Sequence, residues 1–216
     1  MKRREVITLI GGAAATWPLA VRAQQIGKVP RIGCLSPGRS ELPDPTFNML
    51  NAFQQGLHEL GYTEGQNLAV ERQYADGSSD RLRELASELV RSKPDIIIAF
   101  STTAALPAKQ ATSTIPIVAV AMADPVADEL VASLARPGGN VTGTTFLGPE
   151  LVPKRLQLLR EVVPGLSRVA ALWHPNAYSE RTMAGVLNEI EVAARTLGLQ
   201  LQLVPAVGPD DFVSAF

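Results

Sequence analysis

Between Val29 and Thr145 short apolar runs alternate with longer amphipathic stretches, and no other feature limits the fold as tightly. Val29 to Leu35 reads as a buried strand, followed by a polar, Pro/Gly-rich loop from Ser36 to Pro45. Met49, Phe53, Leu57 and Leu60 then recur at spacings of four, four and three, which gives a helix one apolar face, and Gly61 stops it. Leu68, Val70, Arg72 and Tyr74 alternate as a second strand, and Asp80 to Ser92 repeats the helical pattern through Leu82, Leu85, Leu89 and Val90. Asp95 to Phe100 is a third strand. Its centre, Ile96-Ile97-Ile98, has no polar face, as expected of a strand covered on both sides. Ala104 to Thr112 reads as a short helix, Ile117 to Met122 as a strand, Asp128 to Leu134 as another short helix and Val141 to Thr145 as a strand. The turn signal Arg136-Pro137-Gly138-Gly139-Asn140 precedes that last strand.

Repeated strand–helix units predict an α/β fold: a parallel sheet, right-handed crossovers and helices on both faces, hence three αβα layers. A second series follows, with a helix from Glu150 to Val163, a strand from Arg168 to Trp173, a helix from Ser179 to Leu197 and a strand from Leu199 to Val204. Pro209-Asp210-Asp211-Phe212 looks like the start of one more helix. Two strands and two helices make a thin core by themselves. The expected organisation is therefore an N-terminal ligand-binding lobe over 29–145, then a hinge and an incomplete second lobe over 146–216. On this reading the chain is a piece of a protein about half as long again.

The N-terminus reads as an address. Met1-Lys2-Arg3-Arg4 is a basic head, Val6 to Ala15 an apolar, small-residue run, and Val21-Arg22-Ala23 a small-x-small cleavage pattern. Together they predict a secretory signal peptide over 1–23, exported by the general or, from the Arg3-Arg4 pair, the twin-arginine route. The leader carries a net +3, so its loss takes the formal charge from −1 to about −4. A mildly acidic exported chain with a single cysteine, Cys34, fits a bacterial periplasm, and its charge balance argues against a nucleic-acid partner.

In open parallel sheets ligands bind outside the carboxyl ends of the strands. Polar or small-residue clusters mark those ends at Ser36-Pro37-Gly38, Ser101-Thr102-Thr103-Ala104, Asp124-Pro125, Thr144-Thr145 and, in the second series, His174-Pro175-Asn176. Ser101-Thr102-Thr103 is the strongest, because hydroxyls and free N–H groups at a helix start suit a carboxylate. The competing role for Ser101 or Thr102 is a helix cap, and for Asp124 a turn initiator rather than an ammonium partner. His58 and His174 have no metal-ligand spacing partner, and Cys34 sits within a strand as a small apolar residue. Trp173 and Tyr178 flank the second cluster as stacking or packing residues. There is no G-x-S-x-G, H-E-x-x-H or G-x-G-x-x-G, so no catalytic set and no cofactor are indicated.

Several stretches resemble one family: Leu57-His58-Glu59-Leu60-Gly61-Tyr62-Thr63-Glu64-Gly65-Gln66-Asn67-Leu68, Lys93-Pro94-Asp95-Ile96-Ile97, Thr114-Ile115-Pro116-Ile117-Val118, and Asp124-Pro125 with Ser133-Leu134-Ala135-Arg136-Pro137-Gly138-Gly139-Asn140-Val141-Thr142-Gly143. The chain is similar there to the TrpX-like family of ABC transporter substrate-binding proteins. The resemblance implies a periplasmic binding protein of type I fold, with two Rossmann-like lobes and a ligand between them. It maps the ligand-facing loops onto Ser36, Ser101, Thr102, Thr103, Asp124, Thr144 and Thr145 in the first lobe and Asn176 in the second. The implied partners are a small-molecule solute, an amino acid or related carboxylate in some members, and an ABC permease at the inner membrane. Two other readings stay open at this stage. An exported α/β hydrolase would use Ser101 or Asp124 with His58 or His174 as base, and a ligand-sensing domain would share the fold.

Overall fold

The computed structural model describes residues 28–39, 45–208 and 210–212 of the 216-residue chain. The expected leader over 1–23 lies outside the described residues, as does Pro209. From Arg31 onward the chain forms one compact unit. Its elements are β1 (Arg31–Ser36), α1 (Pro45–Glu59), β2 (Ala69–Tyr74), α2 (Ser79–Arg91), β3 (Ile96–Phe100), α3 (Thr102–Ala111), β4 (Ile117–Met122), β5 (Val141–Thr145), α4 (Val152–Val162), β6 (Arg168–Trp173), α5 (Glu180–Thr196) and β7 (Gln200–Pro205).

β1 to β5 form one parallel sheet in the order β2-β1-β3-β4-β5. The isoleucine run supplies its centre. Successive side chains of a strand point to opposite faces, so Ile97 and Ala99 enter one apolar cluster while Ile98 and Phe100 enter the other. The first cluster is closed by Leu82, Leu85, Ala86 and Leu89 of α2 and Ala104, Ala105 and Ala108 of α3. The second is closed by Leu50 of α1, with Met49, Phe53 and Leu57 beside it. The three αβα layers expected from the sequence are therefore present. Gly33 of β1 admits Leu89 so closely that a Cβ there would lie 2.8 Å from its side chain.

β4 and β5 meet across an irregularity between Ala119 and Met122. Ala121 is left-handed there, with φ 56°. Opposite, Gly143 has φ 152°, and a Cβ on it would stand 1.7 Å from the Ala119 carbonyl oxygen. Only glycine fits that approach.

One expected element is replaced. Asp128 to Leu134, read as a helix, is a series of turns. Leu130 N–H and Val131 N–H both donate to the Pro125 carbonyl, at 2.8 and 3.1 Å, and Glu129 is left-handed at φ 56°. A left-handed residue ends any right-handed helix, while the turn still buries Leu130 and Val131. The remaining helices and strands stand within a few residues of the expected bounds, and residues 210–212 are helical.

β6 and β7 form a separate two-stranded parallel sheet. Leu156 of α4, Ala194 of α5 and Leu199 make its small core, with Val169 and Leu201 packed against it. Among the described residues no helix is long and apolar enough to cross a membrane.

Candidate functional site

Because β1 to β5 run parallel, the carboxyl ends of all five strands lie along one edge of the sheet. Ser36, Ser101, Thr102, Thr103, Asp124, Thr144 and Thr145 all sit at or just beyond that edge. Asn176 follows β6 in the smaller sheet.

The residues differ in what their side chains are free to do. Ser36 is 2% exposed, and its Oγ accepts from the Gly38 N–H at 3.1 Å. The Ser36 carbonyl accepts from Ala75 N–H and the Pro37 carbonyl from Gly77 N–H, so this loop is tied to the end of β2. Thr102 is buried, and its hydroxyl accepts from Ala123 N–H at 3.0 Å, tying the start of α3 to the end of β4. Thr144 Oγ1 accepts from Ala121 N–H at 3.1 Å and so satisfies an amide that the β4 irregularity takes out of the ladder. Asp124 Oδ1 accepts from Ala127 N–H at 2.9 Å, which is the turn-initiating role. Thr145 and Asn176 are exposed, and Asn176 N–H donates to His174 Nδ1 at 3.0 Å.

Ser101 and Thr103 are arranged differently. Ser101 occupies the N-cap position of α3 with φ 84° and ψ 166°, a region that normally belongs to glycine. Its backbone is held there by two bonds, from its own N–H to the Val120 carbonyl at 2.9 Å and from Ala105 N–H to its carbonyl at 3.1 Å. The hydroxyl does not cap the helix. It lies 2.7 Å from Thr103 Oγ1, so two half-buried hydroxyls form a pair at the first turn of α3. The positive end of the helix dipole favours an anion at that place.

Other chemistry is sparse. Among the described residues no group of three or more His, Cys, Asp or Glu could hold a metal ion. His58 is exposed on α1. Burial pushes the Cys34 thiol up to about 12, with the neighbouring Arg72 acting in the opposite sense, so the thiol stays protonated and unreactive. Arg72 makes a two-pronged bond to Glu64, at 2.8 and 2.6 Å, and holds that carboxyl below its ordinary range.

Sequence reading missed a second polar cluster. Asp128, in the turn after β4, meets Ser179 and Thr182 at the start of α5, while Arg181 beside them reaches Ala127 and Glu129. Its signal in the sequence is only local: Ser179 three residues before Thr182 marks a helix cap, and Asp128-Glu129 resembles a helix start.

Comparison with known proteins follows the same lines. A curated "Tyrosine-binding protein" of Clostridioides difficile is 33% identical over 138 residues, 63% of this chain and 39% of that one. A solved conserved domain protein from Vibrio cholerae superposes with a TM-score of 0.73 at 28% identity, over 87% of this chain and 61% of the other. The ligand-free, open structure of a substrate binding protein with adhesive properties from Clostridium difficile gives 0.60 at 27%, covering 86% and 60%. An ABC domain from Streptococcus pneumonia solved with L-Trp shares the fold, at TM-score 0.70 and 24% identity, over 87% of this chain and 61% of that one. The chain thus spans about three fifths of these solved proteins and 39% of the curated relative. The fold is the parallel α/β architecture of type I periplasmic binding proteins, as expected. A family model described as ABC transporter substrate binding protein matches residues 44–212, and the chain belongs to that family.

Proposed function

We propose that this chain is the solute-capturing part of an ABC importer's receptor. In this reading a lobe over 29–145 captures a small carboxylate-bearing solute at the carboxyl edge of β1 to β5. A second lobe, within 146–216, closes over it about a hinge at 146–150. The receptor then delivers the solute to an inner-membrane permease, and it works in the periplasm after export through the leader over 1–23. Membership of the family supports solute binding. The name of the tyrosine-binding relative favours an aromatic amino acid as the first solute to test.

The observation that carries the proposal is the Ser101–Thr103 hydroxyl pair at the start of α3. The two hydroxyls and the helix dipole suit the solute carboxylate, and Asp124 at the next strand end suits its ammonium group. Ser36, Thr102 and Thr144 act by fixing the loops, through the bonds already described. Thr145 and Asn176 line the two sides of the opening. Ligand contacts that strengthen on closure would favour the closed form. The hydrolase alternative needs a base against Ser101, and the hydroxyl partner of Ser101 is Thr103.

The test is calorimetry and thermal denaturation of the chain with L-tyrosine, L-tryptophan and L-leucine. A bound solute at about 100 times its Kd is expected to add about 2.7 kcal/mol of stability. Replacing both hydroxyls, S101A with T103A, should weaken binding about 10- to 100-fold, the loss of one or two hydrogen bonds to a charged group. No stabilisation by any of the three amino acids would defeat the amino-acid reading. Unchanged affinity in the double variant would defeat the assigned carboxylate site.

A further inference from the structure

The acid that the sequence reading passed over joins the two sheets. Asp128 is 7% exposed, and both of its carboxylate oxygens are engaged by α5. Oδ1 accepts from Ser179 Oγ, and Oδ2 accepts from Thr182 Oγ1 at 2.9 Å. Ser179 is the N-cap of α5, and the same Oγ accepts from Thr182 N–H at 3.1 Å. One hydroxyl therefore caps the helix and grips the acid together. Thr182 is itself 5% exposed, so the contact is shielded from water. A carboxylate at a helix N-terminus is also favoured by the dipole.

Two contacts flank this pair. Arg181 donates to the Ala127 carbonyl at 2.8 Å and meets Glu129 at 2.7 Å, but both side chains are largely exposed and the ion pair is screened. The rings of Phe146 and Tyr178 lie 6.2 Å apart, joining the segment after β5 to the loop before α5. Asp128 is the only member of the group that is buried and also accepts from two side chains of α5.

The position of the contact gives it a meaning. The Asp128 turn follows the carboxyl end of β4, and Ser179 follows the carboxyl end of β6. The bonds therefore tie together the two strand-end regions between which a solute would be held. We propose that Asp128 is a latch that holds the two sheets in the arrangement seen here without touching the solute. Only its consequence for affinity rests on the receptor reading; the latch itself is a property of the chain alone. Aspartate suits the task because one short side chain presents two acceptors to two fixed hydroxyl donors. Removing it leaves those hydroxyls without their acceptor, which costs more than the bonds are worth in isolation.

The experiment is a distance measurement on the ligand-free full chain. Nitroxide labels are placed at E84C and E189C, both exposed, on α2 and α5; the native thiol of Cys34 is buried and stays unlabelled. Pulsed dipolar spectroscopy should give one narrow distance with Asp128 present. D128A should lower the ratio of short to long distances about tenfold, the effect of losing a hydrogen-bonded charge. D128N keeps an acceptor and should fall between. T182V removes one donor, leaves the Ser179 cap in place and should shift the distribution in the same direction by less. If D128A does not fold, as judged by circular dichroism, T182V decides. An unchanged distribution in the folded variants would overturn the latch. No solute is added, so a failed solute screen leaves this outcome untouched, and a failed latch leaves the solute result untouched.

Discussion

The central strand of the larger sheet and the first strand of the smaller one show how differently the two regions are held. β3 of the larger sheet, Ile-Ile-Ile-Ala-Phe, is buried almost throughout because helices cover both faces. β6, Arg-Val-Ala-Ala-Leu-Trp, alternates exposed and half-buried residues, and Leu172 is 46% exposed. Both strands pair in parallel and both are followed, after a loop, by a helix. What separates them is the amount of apolar surface that neighbours remove from water. A parallel strand gains most of its stability from what lies above and below it rather than from its ladder.

The sharpest way to break this comparison lies in the larger sheet. Gly143→Ala would put a Cβ within 1.7 Å of the Ala119 carbonyl oxygen, at a φ of 152° that disfavours any side chain. The backbone of β4 or β5 would have to move, because the atoms met are main-chain atoms of Ala119. The expected cost is about 4 kcal/mol or more, enough to abolish cooperative folding of this sheet. Urea denaturation followed by circular dichroism would measure it, and a loss below about 1 kcal/mol would show that the β4–β5 junction is looser than its geometry implies.

A matched pair of truncations sharpens the contrast. Leu89 is fully buried against Gly33, whereas Leu201 is only half-buried on the smaller sheet. Leu89→Ala should cost about 3–5 kcal/mol, near the top of the range for leucine truncation, because close packing leaves its cavity unfilled. Leu201→Ala should cost about 1 kcal/mol, since water already reaches that side chain. The difference between the two, rather than either value, is the quantity to measure by denaturant midpoints. Equal losses would mean that the smaller sheet is as well packed as the larger.

This contrast also explains what the sequence made legible. The larger sheet was readable because its signals are local and redundant: Ile96-Ile97-Ile98 for a doubly covered strand, Leu82, Leu85 and Leu89 for a helix face, Gly138-Gly139 for a turn. The strand ends carrying Ser36, Ser101, Asp124 and Thr144 followed from the same alternation. Their division of labour did not. That Thr102 ties α3 to Ala123, or that Thr144 repairs the irregularity at Ala121, depends on which amide happens to face each hydroxyl. The turns in place of a helix at 128–134 escaped for a related reason. Leu130 and Val131 have the right apolar character for a helix face, but a left-handed Glu129 and the acid's bonds to α5 set the backbone there. Pairings between residues some fifty positions apart leave no periodic trace.

The smallest expected effect concerns the ion pair on the larger sheet, set against the one beside Asp128. Arg72 holds Glu64 below its ordinary value of 4.5 through a hydrogen-bonded pair, with burial pulling the other way. A carboxyl lowered on folding contributes stability above its unfolded pKa and loses it as pH falls through the folded one. Glu64 is 43% exposed, so solvent screening limits the contribution to at most about 1 kcal/mol. Urea midpoints should therefore place E64Q slightly below the native chain at pH 7, with the gap closing as the pH falls through the lowered pKa of Glu64. The corresponding change at the other pair, E129Q beside Arg181, should leave a still smaller gap, because its two side chains are 77% and 58% exposed. If E129Q proved the more costly of the two, the exposed pair would be reinforcing the Asp128 contact directly, and the smaller region would owe its place to a charged network rather than to one buried acid.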